Sequence, residues 1–143
     1  MERRYTRQDN NGVHVLVFGS NLAGRHGLGA ALDAARDWGA VEGVGEGRTG
    51  MAYALPTKDH HLAPLPLDRI AEAARRFLAY ARAHEEHRFL LTRIGCGYRK
   101  LTDHQVAPLF HGAPPHVVLP DDWEGIIEEA AHAPRKATLR DFL

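Results

Sequence analysis

Three short stretches of the sequence contain side chains that hydrogen-bond, carry charge or react with electrophiles, and the first two are also rich in glycine. The first, "GSNLAGRHGLG" at residues 19–29, includes Ser20, Asn21 and His26. Glycine lets the backbone approach a ligand closely, and free N–H groups at a helix N-terminus bind anions. We expect Ser20 and Asn21 to hydrogen-bond sugar hydroxyls and His26 to contact the ligand. A tight turn at the start of a helix is the alternative explanation for the glycines.

The second stretch, "RIGCGYRK" at residues 93–100, follows an apolar run. Gly95 and Gly97 flank Cys96, so backbone amides are free to bind a phosphate, and Tyr98 is suited to stacking on a sugar or a base. Cys96 has no evident partner base in the sequence. We therefore expect this cysteine to line the loop rather than to act as a nucleophile.

The third stretch, "PTKDHH" at residues 56–61, places Lys58 at the end of an apolar run. A lysine in such a position is usually a solvated charge, and a surface ion pair with Asp59 is a second explanation. The neighbouring glycine-rich loops favour a role for Lys58 in the binding site. The histidines show no zinc-ligand spacing, and the sequence predicts neither a metal site nor a cofactor.

Apolar runs alternate with amphipathic segments along the chain, and this alternation predicts the elements that position the three stretches. Strands are predicted at residues 12–19, 51–56, 88–95 and 116–120. Helices are predicted at residues 27–39, 67–84, 104–110 and 121–133. Alternating strands and helices indicate a three-layer α/β/α fold around a mixed, mostly parallel sheet. In such a fold, ligands bind outside the carboxyl ends of the strands, where all three stretches begin.

The spacing of the apolar residues also predicts which helix faces are buried. On the helix at residues 67–84 the predicted buried residues are Ile70, Ala74, Phe77, Leu78 and Ala81. On the helix at residues 27–39 they are Leu28, Leu32 and Ala35. Residues 40–50 are glycine-rich and predict a loop. Either Thr102 or Asp103 is expected to cap the short helix that follows the second stretch.

Length and composition predict one domain, with a core at about residues 13–132 and a tail at residues 133–143. The chain has 143 residues, of which 44% are hydrophobic, which suffices for one continuous core. Its 18 basic and 18 acidic residues cancel, which argues against general binding to nucleic acid or to an anionic membrane. A single cysteine excludes an intrachain disulfide, and no apolar run approaches the length of a membrane span. We expect a cytoplasmic monomer.

Together, the three stretches resemble the macrodomain family, which binds ADP-ribose. "VFGSNLAGRHGLGAALDAA" is similar to the family's strand, Asn-bearing loop and helix, and "LLTRIGCGYRKL" is similar to its second phosphate loop. "YALPTKD" and "IGCG" resemble the branch of terminal ADP-ribose glycohydrolases and DNA ADP-ribosyl glycohydrolases. The pattern also resembles a group of phage-associated and bacterial macrodomain-like proteins. The resemblance covers roughly residues 13–120 and implies a macrodomain-type fold.

The resemblance implies roles for residues in each stretch. The positions that match the loop around the distal ribose are Ser20, Asn21, Gly27, Leu28 and Gly29. The positions that match the loop around the diphosphate are Ile94, Gly95, Cys96, Gly97 and Tyr98. Lys58 matches the lysine that attacks the anomeric carbon. Arg99 stands where that branch has a catalytic Asp, and Asp103, a few residues later, is the candidate substitute.

Two functions follow from the resemblance, and a third uses the fold differently. The first is an ADP-ribosyl glycohydrolase that removes ADP-ribose from protein or nucleic acid, with Lys58 as nucleophile and Asp103 as acid/base. A lysine nucleophile must first be neutral, and a nearby cation such as Arg99 or Lys100 would lower its pKa. The second is a non-catalytic binder of ADP-ribose or another NAD-derived nucleotide, which the missing Asp after "GCG" favours. The third is an interaction protein of phage or defence systems.

Overall fold

The computed structural model describes residues 4–96 and 101–132, which form an α/β fold around one five-stranded sheet. The strands are β1 (His14–Asn21), β2 (Gly47–Thr49), β3 (Ala52–Lys58), β4 (Arg88–Leu91) and β5 (Val117–Val118). Their order in the sheet is β2-β3-β1-β4-β5. All neighbouring strands are parallel except β2, which pairs antiparallel with β3. The predicted mixed, mostly parallel sheet is therefore confirmed.

The four predicted strands are all present with bounds shifted by up to four residues, and the largest departures are at two places. Residues 40–50 were expected to form a loop, but Gly47–Thr49 forms the edge strand β2, which is too short to show an alternating pattern. The third predicted strand was expected to continue to Gly95, but β4 ends at Leu91. Beyond it, both the backbone N–H and the hydroxyl of Thr92 donate to the carbonyl of Val17, and the chain then turns. The polar bonds of Thr92 thus end the ladder.

The helices are α1 (Gly29–Asp37), α2 (Leu67–Ala83), α3 (Asp103–Val106) and α4 (Trp123–His132). Two short 3₁₀ turns add to these, at Arg7–Asp9 and Ala107–Phe110. Thr102 caps α3, because its hydroxyl accepts the N–H of Gln105 at 3.2 Å. Thr102 rather than Asp103 is therefore the cap of this helix.

The core has two halves, one on each face of the sheet, because successive side chains of a strand point to opposite faces. Val15 and Val17 of β1 pack under α2 and α4, whereas Leu16 and Phe18 pack under α1. Helix α2 buries all five of the predicted residues, Ile70, Ala74, Phe77, Leu78 and Ala81. The face predicted from its spacing is confirmed.

The buried face predicted for the first helix is wrong. Ala31 and Ala34 are the buried residues of α1, and Trp38 at its C-terminus is buried with them. Leu28 precedes the helix as its N-cap and is 79% exposed. Leu32 and Ala35 are only half-buried. The small alanines were overlooked beside the larger leucines, although close contact between helix and sheet requires small side chains.

Candidate functional site

The three stretches singled out in the sequence meet at the carboxyl end of the parallel strands. Asn21 at the end of β1 lies in register with Lys58 at the end of β3, and the N–H of Leu22 donates to the carbonyl of Lys58 at 3.0 Å. A Cβ atom added to Gly19 would lie 3.8 Å from the backbone nitrogen of Gly95. We call this edge, formed by residues 19–29, Lys58 and residues 93–96, the glycine rim.

In the first loop, Ser20 and Asn21 use their side chains to hold the loop itself. The amide of Asn21 donates to the carbonyl of Arg25 at 2.9 Å and accepts the N–H of the same residue at 3.0 Å. The hydroxyl of Ser20 donates to the carbonyl of Gly45. Both side chains are buried. Their contacts shape the backbone of the loop, and the ribose-binding role predicted for them stays a prediction.

The glycines of the first loop serve two different purposes. Gly24 has a positive φ of 71°, and a Cβ there would lie 2.3 Å from the backbone carbon of Gly43. A Cβ on Gly45 would lie 2.3 Å from the carbonyl oxygen of Asn21. Backbone therefore packs directly on backbone between residues 20–25 and 43–45. At Gly27, by contrast, an added Cβ would meet nothing within 4 Å.

His26 lies inside the support of the loop rather than on its surface. Its side chain is 2% exposed, and its ring packs edge-on against Phe18 with the centroids 5.3 Å apart. Nε2 lies 3.0 Å from the carbonyl oxygen of Val41. A carbonyl only accepts, so Nε2 carries a proton. Nδ1 is buried and has no hydrogen-bond partner among the described residues. The backbone N–H of His26 donates to the Glu42 carboxylate at 3.2 Å. The ligand contact predicted for His26 is not evident in this packing.

The start of α1 is open and has no side-chain cap. Leu28 occupies the N-cap position, where it supplies no hydrogen bond, and the first turn contains no acidic residue. Like Gly27, Gly29 has no atom within 4 Å of an added Cβ. Helix N-termini carry a partial positive charge and unsatisfied N–H groups, which water or an anion must satisfy.

Lys58 at the end of β3 contributes a positive charge to the rim, in register with Asn21. Within the described ranges, its ammonium group makes neither a hydrogen bond nor an ion pair. The carboxylate of Asp59 instead accepts the backbone N–H groups of Ala63 at 3.0 Å and His61 at 2.8 Å, and these bonds lower its pKa. The surface ion pair between Lys58 and Asp59, weighed as an alternative, is therefore absent. The lysine is left to interact with water or a ligand.

At the start of α3, Asp103 accepts hydrogen bonds from Arg93 and Trp123 and, less strongly, from the thiol of Cys96. Arg93 binds it with two parallel bonds, from Nε to Oδ1 at 2.9 Å and from Nη2 to Oδ2 at 3.0 Å. The indole Nε1 of Trp123 donates to Oδ1 at 2.8 Å. The bond from Arg93, followed by that from Trp123, lowers the pKa of Asp103. A carboxylate in this state stays ionised at neutral pH and is poorly suited to donating a proton.

The other predicted residues of the second loop divide between the core and the rim. Ile94 is buried among the residues packed under α2. Gly95 has a φ of 75°, and an added Cβ would lie 3.0 Å from Cδ1 of Leu101. Cys96 is half-buried, with its thiol 3.5 Å from the carbonyl of Ile94. The remaining predictions, Gly97, Tyr98 and Arg99, together with Lys100, lie outside the described residues.

Arg93 is the residue of this site that the sequence reading did not single out. Ten residues separate it from Asp103, and no local spacing links the two. The only available signal was its position directly after a buried strand, at the carboxyl edge where ligands bind in α/β folds.

The fold and the site define this protein as an α/β protein with glycine-containing loops at the carboxyl edge of its sheet. Comparison with known proteins adds nothing to it, because no protein-family model, no curated protein and no solved structure matches the chain. Among the helices of the described residues, none is long and apolar enough to cross a membrane. The described part of the chain also contains no group of three His, Cys, Asp or Glu residues arranged to hold a metal ion.

Proposed function

We propose that this protein binds ADP-ribose, free or attached to a macromolecule, at the glycine rim, as a member of the macrodomain family. The observation that carries the proposal is the uncapped N-terminus of α1 in the loop that follows β1, at the edge of the sheet where Asn21 lies in register with Lys58. Backbone N–H groups at a helix N-terminus suit the two negative charges of a diphosphate, and Lys58 is not needed to hold them. Such a site needs no excess of basic residues, which agrees with the formal net charge of zero.

Calorimetry with free ADP-ribose tests the proposal. Gly27→Val introduces bulk into the open space at the rim, and we expect it to weaken binding by about tenfold or more, since backbone approach to the ligand is blocked. Gly125→Val in α4 is the matched control, because a Cβ at that position also meets nothing within 4 Å. Equal affinity of both variants for ADP-ribose, or no binding by the parent protein, would refute the assignment of the site.

Removal of ADP-ribose from protein or nucleic acid is the second candidate function, and the free ammonium of Lys58 favours it. In this reaction the neutral amine attacks the anomeric carbon, the bond to the modified group breaks, and water then releases ADP-ribose. The leaving group needs a proton. Asp103 is engaged by Arg93 and Trp123, so its proposed part as acid/base requires these bonds to open. Binding without hydrolysis is therefore the function that the geometry supports best.

Lys58→Ala separates the two candidates. If the protein is a hydrolase, this variant loses release of ADP-ribose from modified protein or modified DNA but still binds free ADP-ribose, because backbone amides hold the diphosphate. Arg75→Ala on the exposed face of α2 is the control, since this cation makes no contact that the rim depends on. A parent protein that binds ADP-ribose but cleaves neither substrate is a binder.

We further propose that the protein is a monomer and that it is located in the cytoplasm. A single half-buried cysteine fits a reducing compartment. Gel filtration with light scattering measures the oligomeric state directly.

A further inference from the structure

His26 is a buried titratable side chain that the proposed binding of ADP-ribose does not use. It is 2% exposed and lies in the first loop, shortly before α1 begins. Its backbone N–H donates to the Glu42 carboxylate at 3.2 Å, and Nε2 donates to the carbonyl of Val41 at 3.0 Å. Both the backbone and the ring of His26 thus hold the loop on residues 41–45, which we call the 41–45 segment.

Among the described residues, these bonds make His26 the last hydrogen-bonded anchor of the first loop before α1. Earlier in the loop, the N–H of Gly43 donates to the carbonyl of Gly24 at 2.8 Å. After His26, neither Gly27 nor Gly29 has an atom within 4 Å of an added Cβ. The position of the free N–H groups at the start of α1 therefore depends on His26 remaining bound to that segment.

A second proton on the ring of His26 would lack an acceptor. Nδ1 is buried and has no hydrogen-bond partner among the described residues, so a proton there would be an unpaired donor with a positive charge. The ring packs on Phe18, which supplies no acceptor. The N-terminus of α1, which follows shortly in the chain, carries a partial positive charge of its own. A protonated ring is therefore more stable in water than at its buried site.

The charged groups beside His26 do not supply the missing acceptor. Glu42 is the carboxylate in contact with the residue, but it accepts the backbone N–H, and within the described ranges it forms no ion pair with the ring. Arg25, the preceding residue, is exposed and adds positive charge. Val41 and Phe18, which also contact the ring, are uncharged. The charge of Glu42 lessens the cost of a buried imidazolium without pairing its new N–H.

We propose that uptake of a second proton by His26 releases the first loop from the 41–45 segment and thereby lowers the affinity of the glycine rim for its ligand. Imidazole is the side chain that ordinarily changes charge between about pH 5 and pH 8. The loop is thus closed at neutral pH and opens in mild acid. The ligand, ADP-ribose, rests on the proposed function, whereas release of the loop is a property of the protein alone.

Amide hydrogen exchange measured by NMR without ligand, and corrected for the intrinsic effect of pH, tests the release of the loop. Between about pH 7.5 and about pH 5.5, the protection of the His26 and Gly43 amides should fall about fivefold, since one linked proton changes an equilibrium by at most about tenfold per pH unit. The amides of α2 should keep their protection. Unchanged protection at His26 and Gly43, or an equal loss in α2, would overturn the proposal.

His26→Gln removes the titrating group. Glutamine can still donate to the carbonyl of Val41 but takes up no proton, so the protection of the Gly43 amide should no longer depend on pH. His111→Gln, at an exposed position, is the matched control and should keep the pH dependence of the parent. A dependence that survives in a folded His26→Gln variant would overturn the proposal.

Glu42→Gln gives a second test that leaves the buried ring in place. Glutamine still accepts the N–H of His26, but the negative charge beside the imidazole is lost. The fall in protection of the Gly43 amide in mild acid should therefore be larger than in the parent, because nothing offsets the charge of the protonated ring. An equal or smaller fall would contradict the proposal.

Calorimetry with ADP-ribose connects release of the loop to binding. The parent should bind about threefold or more less tightly at about pH 5.5 than at about pH 7.5, because only the closed loop is competent, and His26→Gln should bind equally at both. Equal or tighter binding by the parent in acid would overturn the proposal. A parent that binds no ADP-ribose at either pH would refute the proposed function, and the exchange measurement would then decide the release of the loop by itself.

Discussion

The carboxylate of Asp103 connects three elements of the structure. Arg93 follows β4, Asp103 begins α3, and Trp123 begins α4, and all three meet at this one side chain. The bidentate geometry with Arg93 and the bond from a buried indole make this pair stronger than an exposed surface ion pair. Asp103 thereby determines how the second glycine loop joins the helices behind it.

Asp103→Asn should destabilise the protein by about 1–2 kcal/mol at pH 7, because one charge-assisted acceptor is lost. The folded pKa of Asp103 is lowered, so its stabilising effect is complete above the unfolded pKa of about 3.9 and disappears as the pH falls through the folded pKa. Urea unfolding at several pH values should therefore show the parent and the variant converging below about pH 4.

Asp33→Asn is the control for this measurement. Asp33 forms only a long pair with Arg36, at 3.9 Å on the exposed surface of α1. Its replacement should change the free energy of unfolding by less than about 0.5 kcal/mol. A gap between parent and Asp103→Asn that does not narrow at all as the pH falls below about 4 would contradict the linkage assigned to this carboxylate.

Gly24 and Gly27 should respond differently to the same substitution. Gly24→Ala would place a methyl group 2.3 Å from the backbone of Gly43 at a positive φ, and should destabilise the protein by well over about 1 kcal/mol. Gly27→Ala meets open space and should change stability by less than about 0.5 kcal/mol. Thermal unfolding by circular dichroism compares the two. Similar losses would show that the contact between the loops is not as close as the structure indicates.

At the scale of elements, the uncapped N-terminus of α1 should lower the stability of the fold while leaving N–H groups free for the proposed binding of ADP-ribose. Leu28 has the extended backbone of an N-cap but no capping side chain. Leu28→Ser and Leu28→Asp should each raise the free energy of unfolding by about 0.5–1 kcal/mol, since both supply an acceptor for the first N–H groups. Leu28→Asp should also weaken ADP-ribose binding much more than Leu28→Ser, because its charge repels the diphosphate. Calorimetry and urea unfolding measure the two effects. Equal affinities of the two variants would place the diphosphate elsewhere.

The elements differ in how well the sequence specified them. Helix α2 was predictable down to its buried residues, because 17 residues with a strong 3.6-residue periodicity leave one interpretation. The parallel strands were predictable from short apolar runs. Strand β2 was not, since its pairing depends on β3 and its three residues carry no pattern. The buried face of α1 was misassigned because leucine outweighs alanine in a hydrophobic pattern, although Ala31 and Ala34 make the contact.

The candidate site was less predictable than the fold. That the three stretches share one edge followed from parallel topology alone. The role of each side chain could not be predicted in this way, because it depends on contacts between residues far apart in the chain. Asn21 bonds within its own loop, but Ser20 and His26 bond to residues 15 or more positions away. No spacing in the sequence records such contacts.

At the scale of the whole molecule, stability should be highest at the centre of the sheet. β1 pairs along its length with β3 and β4, whereas β2 and β5 are short edge strands with one partner each. We expect the amides of β1 and β3 to exchange with solvent only by global unfolding and those of β5 to exchange at least about tenfold faster. Hydrogen exchange followed by mass spectrometry measures this, with α2 as an internal reference. Uniform protection across the sheet would contradict it.

The direct backbone packing of Gly24 on Gly43 divides the first loop into a fixed frame and a variable tip. Gly24 admits no larger residue, because the backbone of Gly43 lies against it, and the buried side chains of Ser20 and Asn21 hold the loop by hydrogen bonds. Residues 27–29 project into open space and support nothing behind them. A library randomised at residues 27 and 28 should therefore yield folded proteins with altered ligand preference, whereas one randomised at Ser20, Asn21 and Gly24 should yield mostly unfolded chains. Gly29 is left unchanged, because its φ of 57° favours glycine. The contact between Gly24 and Gly43 would thus allow the ligand preference proposed for the rim to change without any change in the frame that carries it.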